Sequence, residues 1–152
     1  MLSAVVHYDM ELEQLDVKTA FLHGHLDEFI LMEQPEGFVD KRHPYKVCLL
    51  KRSLYGLKQA PRQWNKRFDD FMRTNGYNRN EYDQCVYFKK LKSGAYIYLL
   101  LYVDDMLVAS VDKDDVKRLE VLLGTEFEMK DLGSAKKILG MEIVRDRVNG
   151  GL

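Results

Sequence analysis

Apolar residues recur at two different spacings along this chain, and the changes of spacing mark out its elements. Between residues 61 and 76 the spacing is helical. Pro61 suits a first helical position, where its missing N–H is no loss. Trp64, Phe68, Phe71 and Met72 follow at i, i+4, i+7 and i+8. They predict one buried stripe, and Gly76 supplies a stop. A second helix is predicted after Asp112, Asp114 and Asp115, whose charge suits a helix N-terminus. Its buried stripe is Val116, Leu119 and Leu123.

Residues 96–103 are apolar at every position, the pattern of a central strand covered on both faces. Residues 106–111 read as its hairpin partner. A short strand is predicted over residues 13–17 and a last one over 138–144. Residues 19–30 are mixed and have room for a turn of helix, Pro35-Glu36-Gly37 makes a turn, and Pro44 sits in a loop. The order is strand, helix, hairpin, helix, strand. It predicts an α+β fold, an antiparallel sheet with helices packed against one face.

Length and composition narrow the class. At 152 residues with 46% hydrophobic and 31% charged positions, the chain fits one globular domain without a disorder signature. The longest apolar run, residues 95–103, has nine positions, against the ~20 a membrane helix requires. The first six residues are apolar but lack a basic leader, so no secretory signal is read. Cys48 and Cys85 form no CxxC pair, which fits a reducing compartment. His23 and His25 have no third ligand and make a poor metal site.

The segment Tyr102-Val103-Asp104-Asp105 carries the sharpest chemical signal. A tight hairpin favours Asn-Gly or Asp-Gly at its centre, because those positions need positive φ. Asp-Asp at the tip would set two like charges side by side, and with backbone strain would cost on the order of 1–3 kcal/mol. A divalent cation would remove the repulsion, whereas the plainer reading is an acidic surface turn. Leu15-Asp16-Val17 adds a third carboxylate at the end of another strand. Magnesium takes oxygen ligands and keeps several waters. Carboxylates on neighbouring strands can bridge two ions ~3.5–4 Å apart. One ion activates an attacking 3′-hydroxyl and the other neutralises a triphosphate as pyrophosphate leaves.

Four blocks carry a resemblance. Residues Leu15-Asp16-Val17-Lys18-Thr19-Ala20-Phe21-Leu22-His23-Gly24, with Gln34-Pro35-Glu36-Gly37-Phe38, resemble the first catalytic motif and following loop of copia-type retrotransposon reverse transcriptases. Ser53-Leu54-Tyr55-Gly56-Leu57-Lys58-Gln59-Ala60-Pro61-Arg62-Gln63-Trp64 resembles their second motif. Leu101-Tyr102-Val103-Asp104-Asp105-Met106-Leu107 resembles the third, and Leu139-Gly140-Met141-Glu142-Ile143 the strand near the primer end.

The resemblance implies a polymerase palm of ferredoxin-like type over residues 1–152, with fingers and thumb incomplete. It implies RNA-directed DNA polymerase activity that adds dNTPs to a primer on an RNA or DNA template. Two Mg2+ ions, or Mn2+, would be held by Asp16, Asp104 and Asp105. Phe21, Tyr55, Gly56 and Lys58 would meet the incoming nucleotide. Arg62, Trp64, Leu139, Gly140, Met141 and Glu142 would meet primer or template. The implied partners are template-primer, dNTPs and the remainder of a Pol polyprotein, namely fingers, thumb and ribonuclease H, with no membrane. The implied location is the cytoplasm, within a virus-like particle.

Charge supports a nucleic-acid partner. Residues 41–73 hold ten Lys or Arg against two acidic residues, a local excess of +8 on a chain whose net charge is −1. Concentrated cations of this kind bind phosphate backbones. By contrast, residues 1–15 contain no Lys or Arg, whereas the resemblance implies finger strands upstream whose cations hold the triphosphate. This stretch is therefore expected to offer no such clamp. The expectation is a piece of a larger polymerase with little activity by itself. The alternative is a catalytically dead remnant that acts only as a nucleic-acid-binding or interaction module.

Overall fold

The computed structural model describes residues 1–148 and 150–152. The elements in chain order are α1 (Leu2–His7), β1 (Glu11–Val17), a 3-10 turn (Ala20–His23), β2 (Leu31–Met32), β3 (Cys48–Leu49) and α2 (Ala60–Thr74). There follow β4 (Asn78–Arg79), β5 (Val86–Lys90), β6 (Tyr96–Tyr102), β7 (Asp105–Ser110), α3 (Lys113–Gly124), β8 (Met129–Ser134), β9 (Lys137–Ile138) and β10 (Met141–Glu142). The fold is α+β, as the periodicity predicts. The chain divides into two compact units, Met1–Ala20 with Phe68–Leu152, and Phe21–Arg67. Among the described residues no helix is long and apolar enough to cross a membrane.

The first unit is built on a six-stranded sheet in the order β4-β5-β6-β7-β1-β8, antiparallel at every pairing. Successive strand residues point to opposite faces. One face therefore carries Leu15, Val17, Met106, Val108, Leu99 and Tyr87, all buried. Phe68 of α2 closes this core, its ring 5.5 Å from that of Tyr87 and 5.8 Å from that of Phe127. Val116, Leu119 and Leu123 of α3 add their expected stripe. Asp112 caps α3 by accepting from the Asp114 N–H at 2.9 Å, one of the donors a helix start leaves free.

Two expectations are refined here and one element is new. Strand β6 alternates between buried and open positions, with Tyr96 38% and Tyr102 50% exposed. The reason is that α2 and α3 cover one face only, while its aromatic rings tolerate the open one. The helix α1, which no pattern announced, lies on that open face, where Val5 and Met10 pack with Ala109, Leu12 and Tyr98. The expected last strand is two short ones, because Leu139 and Gly140 take φ of 50° and 81° and turn the chain back.

The second unit has little regular structure and leans on side-chain staples. Strands β2 and β3 pair through Leu31 with Leu49 and Met32 with Cys48. Gln34 holds the following loop: its amide donates to the carbonyls of His43 (3.1 Å) and Lys46 (2.8 Å), and its oxygen accepts from the Asp40 N–H at 2.7 Å. Gly24 passes so close to α2 that a Cβ there would lie 3.0 Å from the Gln63 Cβ and 3.1 Å from the Trp64 nitrogen.

The aromatic contacts of Phe68 make it the test of the first unit's core. Phe68→Ala should cost about 3–5 kcal/mol in urea denaturation. Val121→Ala, at a position 63% exposed, should stay within about 0.5 kcal/mol.

Candidate active site

Pairing places the three carboxylates at one end of the sheet. Asp16 of β1 lies directly opposite Asp105 of β7, and Asp105 lies opposite Tyr102 of β6. Residues directly opposite in a ladder share a face. Lys130 of β8 faces Asp16 from the other side. Tyr102, Asp105, Asp16 and Lys130 thus form one row across four strands, on the face that α2 and α3 leave open.

The hairpin tip differs from the sequence expectation in one respect. Its two central residues are Val103 and Asp104, and Asp105 already belongs to β7. The positive φ, 58°, falls on Val103, while Asp104 is absent from the left-handed region. This sign pattern is that of a II′ turn, whose first central position favours glycine. A β-branched residue there holds the strain that the Asp pair was expected to bear. The turn is kept by its surroundings: the Val17 N–H donates to the Asp104 carbonyl at 3.0 Å, and the Lys18 N–H to the Glu128 carbonyl at 2.9 Å. The end of β1 is pinned on both sides.

Crowding of like charge marks Asp16. Partial burial, then the nearby Asp104 and Asp105 carboxylates, hold its carboxyl above the ordinary value, with Lys130 and Lys18 pulling part of the way back. Lys18 is itself committed to an ion pair with Glu128.

Among the described residues no group of three or more His, Cys, Asp or Glu side chains forms a ready-made metal cage. The donor set nonetheless suits magnesium. It consists of hard carboxylate oxygens, those of Asp16 and Asp105 on one sheet face and those of Asp104 at the adjoining turn. Mg2+ is held by one or two carboxylates with waters and substrate phosphates completing the shell. A cation would also relieve the repulsion that raises Asp16.

The residues expected at the nucleotide lie in the second unit. Phe21 and Tyr55 touch, with ring centroids 4.7 Å apart, and Tyr55 is 49% exposed. Gly56 turns the chain with φ of 96°, and Lys58 and Arg62 are exposed. Trp64 is a correction. It is 2% exposed, so its indole is spent on packing and offers no face to a base. Leu139, Gly140, Met141 and Glu142 form the exposed tip and return strand of the β9–β10 hairpin in the first unit.

Sequence reasoning missed Lys130 as a neighbour of Asp16. The alternation of β8 that would expose it is interrupted by a β-bulge, with register shifting between Glu13 and Leu15.

Comparison with known proteins bears directly on this arrangement. The family model "Reverse transcriptase (RNA-dependent DNA polymerase)" matches residues 1–150. The chain is 54% identical over 149 residues to the Retrovirus-related Pol polyprotein from transposon TNT 1-94 of Nicotiana tabacum, covering 98% of this chain and 11% of that protein. It is 35% identical over 145 residues to the Retrovirus-related Pol polyprotein from transposon RE1 of Arabidopsis thaliana, covering 95% and 10%. It is 28% identical over 156 residues to the Transposon Ty1-OR Gag-Pol polyprotein of Saccharomyces cerevisiae, covering 96% and 8%. The chain spans about a tenth of the length of these curated relatives. With a sheet that sets Asp16 beside the Asp104-Asp105 hairpin and a family match over nearly its whole length, the chain belongs to the reverse transcriptase, or RNA-directed DNA polymerase, family of copia-type retrotransposon Pol polyproteins.

Proposed function

We propose that this chain forms the palm of an intracellular Pol polyprotein and carries nucleotidyl transfer at Asp16, Asp104 and Asp105. Its substrates are a template-primer and dNTPs. One observation carries the reading: Asp16 and Asp105 are direct cross-strand partners, with Val17 bonded to the Asp104 carbonyl. Two Mg2+ ions, or Mn2+, held by these carboxylates would activate the primer 3′-hydroxyl and neutralise the triphosphate. In the reaction the 3′-oxygen bonds to the α-phosphorus while the α–β phosphoanhydride breaks and pyrophosphate departs.

The chain's own residues act by placement. Asp16 and Asp104 are the main ligands, fixed by the β1–β7 ladder and by the bond between Val17 and Asp104. Asp105 shares the site from the first position of β7. Phe21 stacks beneath the incoming sugar, and Tyr55, Gly56 and Lys58 line the nucleotide. Arg62 meets the backbone of the template-primer, and the hairpin tip from Leu139 to Glu142 meets the primer end. Lys58 and Arg62 supply cationic charge to phosphates. The remaining Pol segments, including fingers, thumb and ribonuclease H, complete the enzyme. Primer extension with the chain placed in its Pol context is the direct test. Activity that survives Asp104→Asn or Asp16→Asn would refute the assignment.

The raised pKa of Asp16 has a thermodynamic consequence. Because Asp16 ionises less readily in the fold than in the unfolded chain, its ionised form opposes folding. That loss of stability appears as pH rises above the ordinary value of 3.8 through the folded value, and is absent below both. Asp16→Asn should therefore raise the melting temperature at pH 7 and leave it unchanged near pH 3, within the range where the protein stays folded. Added Mg2+ should raise the wild-type melting temperature at pH 7 and the variant's less, by linkage of binding to folding. A variant less stable than wild type at pH 7 would contradict the electrostatic account.

Template-primer affinity should fall steeply with salt. Replacing both Lys58 and Arg62 by Ala should flatten the slope of log K against log salt by roughly 1–2. Fluorescence anisotropy over a salt series measures this, and an unchanged slope would remove both residues from the phosphate contacts.

A further inference from the structure

Arg145 lies beyond the β9–β10 hairpin and reaches back to the start of the chain. Its Nη2 donates to the Val5 carbonyl at 3.3 Å and to the Asp9 carboxylate at 2.7 Å, and its Nη1 donates to the Gly151 carbonyl at 3.3 Å. Arg147 joins it, donating to Glu11 at 2.7 Å and lying 3.7 Å from the second Asp9 oxygen. Asp9, itself a turn residue with φ of 48°, thus receives two guanidinium groups, one on each oxygen. The Arg145 side chain is 19% exposed, and its Nε is buried without a hydrogen-bond partner. An arginine present for stability alone would be a poor choice there, since an unpaired buried donor is costly.

The hairpin beside it has little else to hold it. Each strand has two residues, and a two-stranded ribbon is marginal on its own. Only Ile138 among its residues is buried, while Leu139 and Met141 are 50% and 58% exposed. Two backbone bonds flank it: the Ile143 N–H donates to the Lys136 carbonyl at 2.9 Å, and the Ala135 N–H to the Leu12 carbonyl at 3.0 Å. The second fastens the chain entering the hairpin to β1. The chain leaving it is fastened by Arg145 to Val5 of α1 and to Asp9 in the turn before β1, and by Arg147 to Asp9 and to Glu11, the first residue of β1.

We infer that Arg145, backed by Arg147, is a positioning residue that latches the β9–β10 hairpin to the turn between α1 and β1, so that the hairpin presents the primer end to the carboxylate row. The inference rests on the reading of that hairpin as a primer contact. Both guanidinium groups are committed to protein partners. They act by joining the head of β1, which carries Asp16 further along, to the segment that leaves the hairpin.

The test uses the 152-residue chain with Arg145→Gln, Arg145→Lys and the milder Asp9→Asn. Hydrogen–deuterium exchange reads the Ile143 amide against the amides of β6 and β7. A template-primer with a photoactivatable base at the primer 3′ end reports cross-links to residues 139–142. Arg145→Gln and Asp9→Asn should speed exchange at Ile143 by roughly 3- to 10-fold while β6 and β7 stay unchanged. Cross-linking should fall by a similar factor, and overall affinity by less than about 2-fold. Arg145→Lys should recover part of both losses. Unchanged exchange at Ile143, or equal acceleration throughout the sheet, would overturn the latch. A wild-type chain that never cross-links to residues 139–142 would instead overturn the primer reading, whatever the exchange data show.

Discussion

The antiparallel pairing of β1 with β7 is the constraint on which the rest of the first unit depends. It sets Leu15 beside Met106 and Asp16 beside Asp105, so one ladder serves two opposed purposes. On one face it closes the hydrophobic core with Leu15, Val17, Met106 and Val108. On the other it forces two carboxylates together. Alternation at a period of two makes these inseparable. The hydrophobic energy of one face holds the electrostatic repulsion of the other, and no separate scaffold is needed to bring the acids together.

That arrangement explains why the acidic cluster persists without a preformed cage. The carboxyl of Asp16 is pushed toward its neutral form by burial and by its two acidic neighbours. A divalent cation that bound the ionised form would reverse that preference. A cation with waters and phosphates completing its shell would relieve this unfavourable charge, in line with the metal dependence that the family implies.

Much of this was legible in the residues alone. The helical stripe of Phe68 and Met72 and the helix start at Asp112 follow from local pattern. Asp16, by contrast, was expected beside the Asp104-Asp105 hairpin from the chemistry of paired carboxylates and the family resemblance. What escaped depends on tertiary context. Strand β6 looked buried on both faces because tyrosine and leucine are apolar by composition, yet its open face shows tyrosines to solvent. The α1 helix has six residues, too few for periodicity to speak. The left-handed residue at the hairpin tip is Val103, and valine gives no hint of positive φ. Trp64 was read as both core and ligand contact, and only its burial separates the two. Phe21, Tyr55 and Lys58 sit in a unit that leans on side-chain staples such as Gln34, which no periodicity reports.

The β-bulge in β8 has a consequence for charge at the site. Glu13 faces Ser134, but two positions along β1 Leu15 faces Asp131, so β8 spends one residue more than β1 over this stretch. Gly133, with φ of 72°, is the kind of residue that lets a strand absorb such an addition. Were the bulge absent and the ladder regular from Ser134 with every residue kept, Asp16 would face Asp131, and Lys130 would turn toward the core beside Val17. A third acidic neighbour would then replace the one lysine in the row. The bulge therefore acts as a parity switch: by counting one residue it decides whether the edge strand offers Asp16 a positive or a negative neighbour.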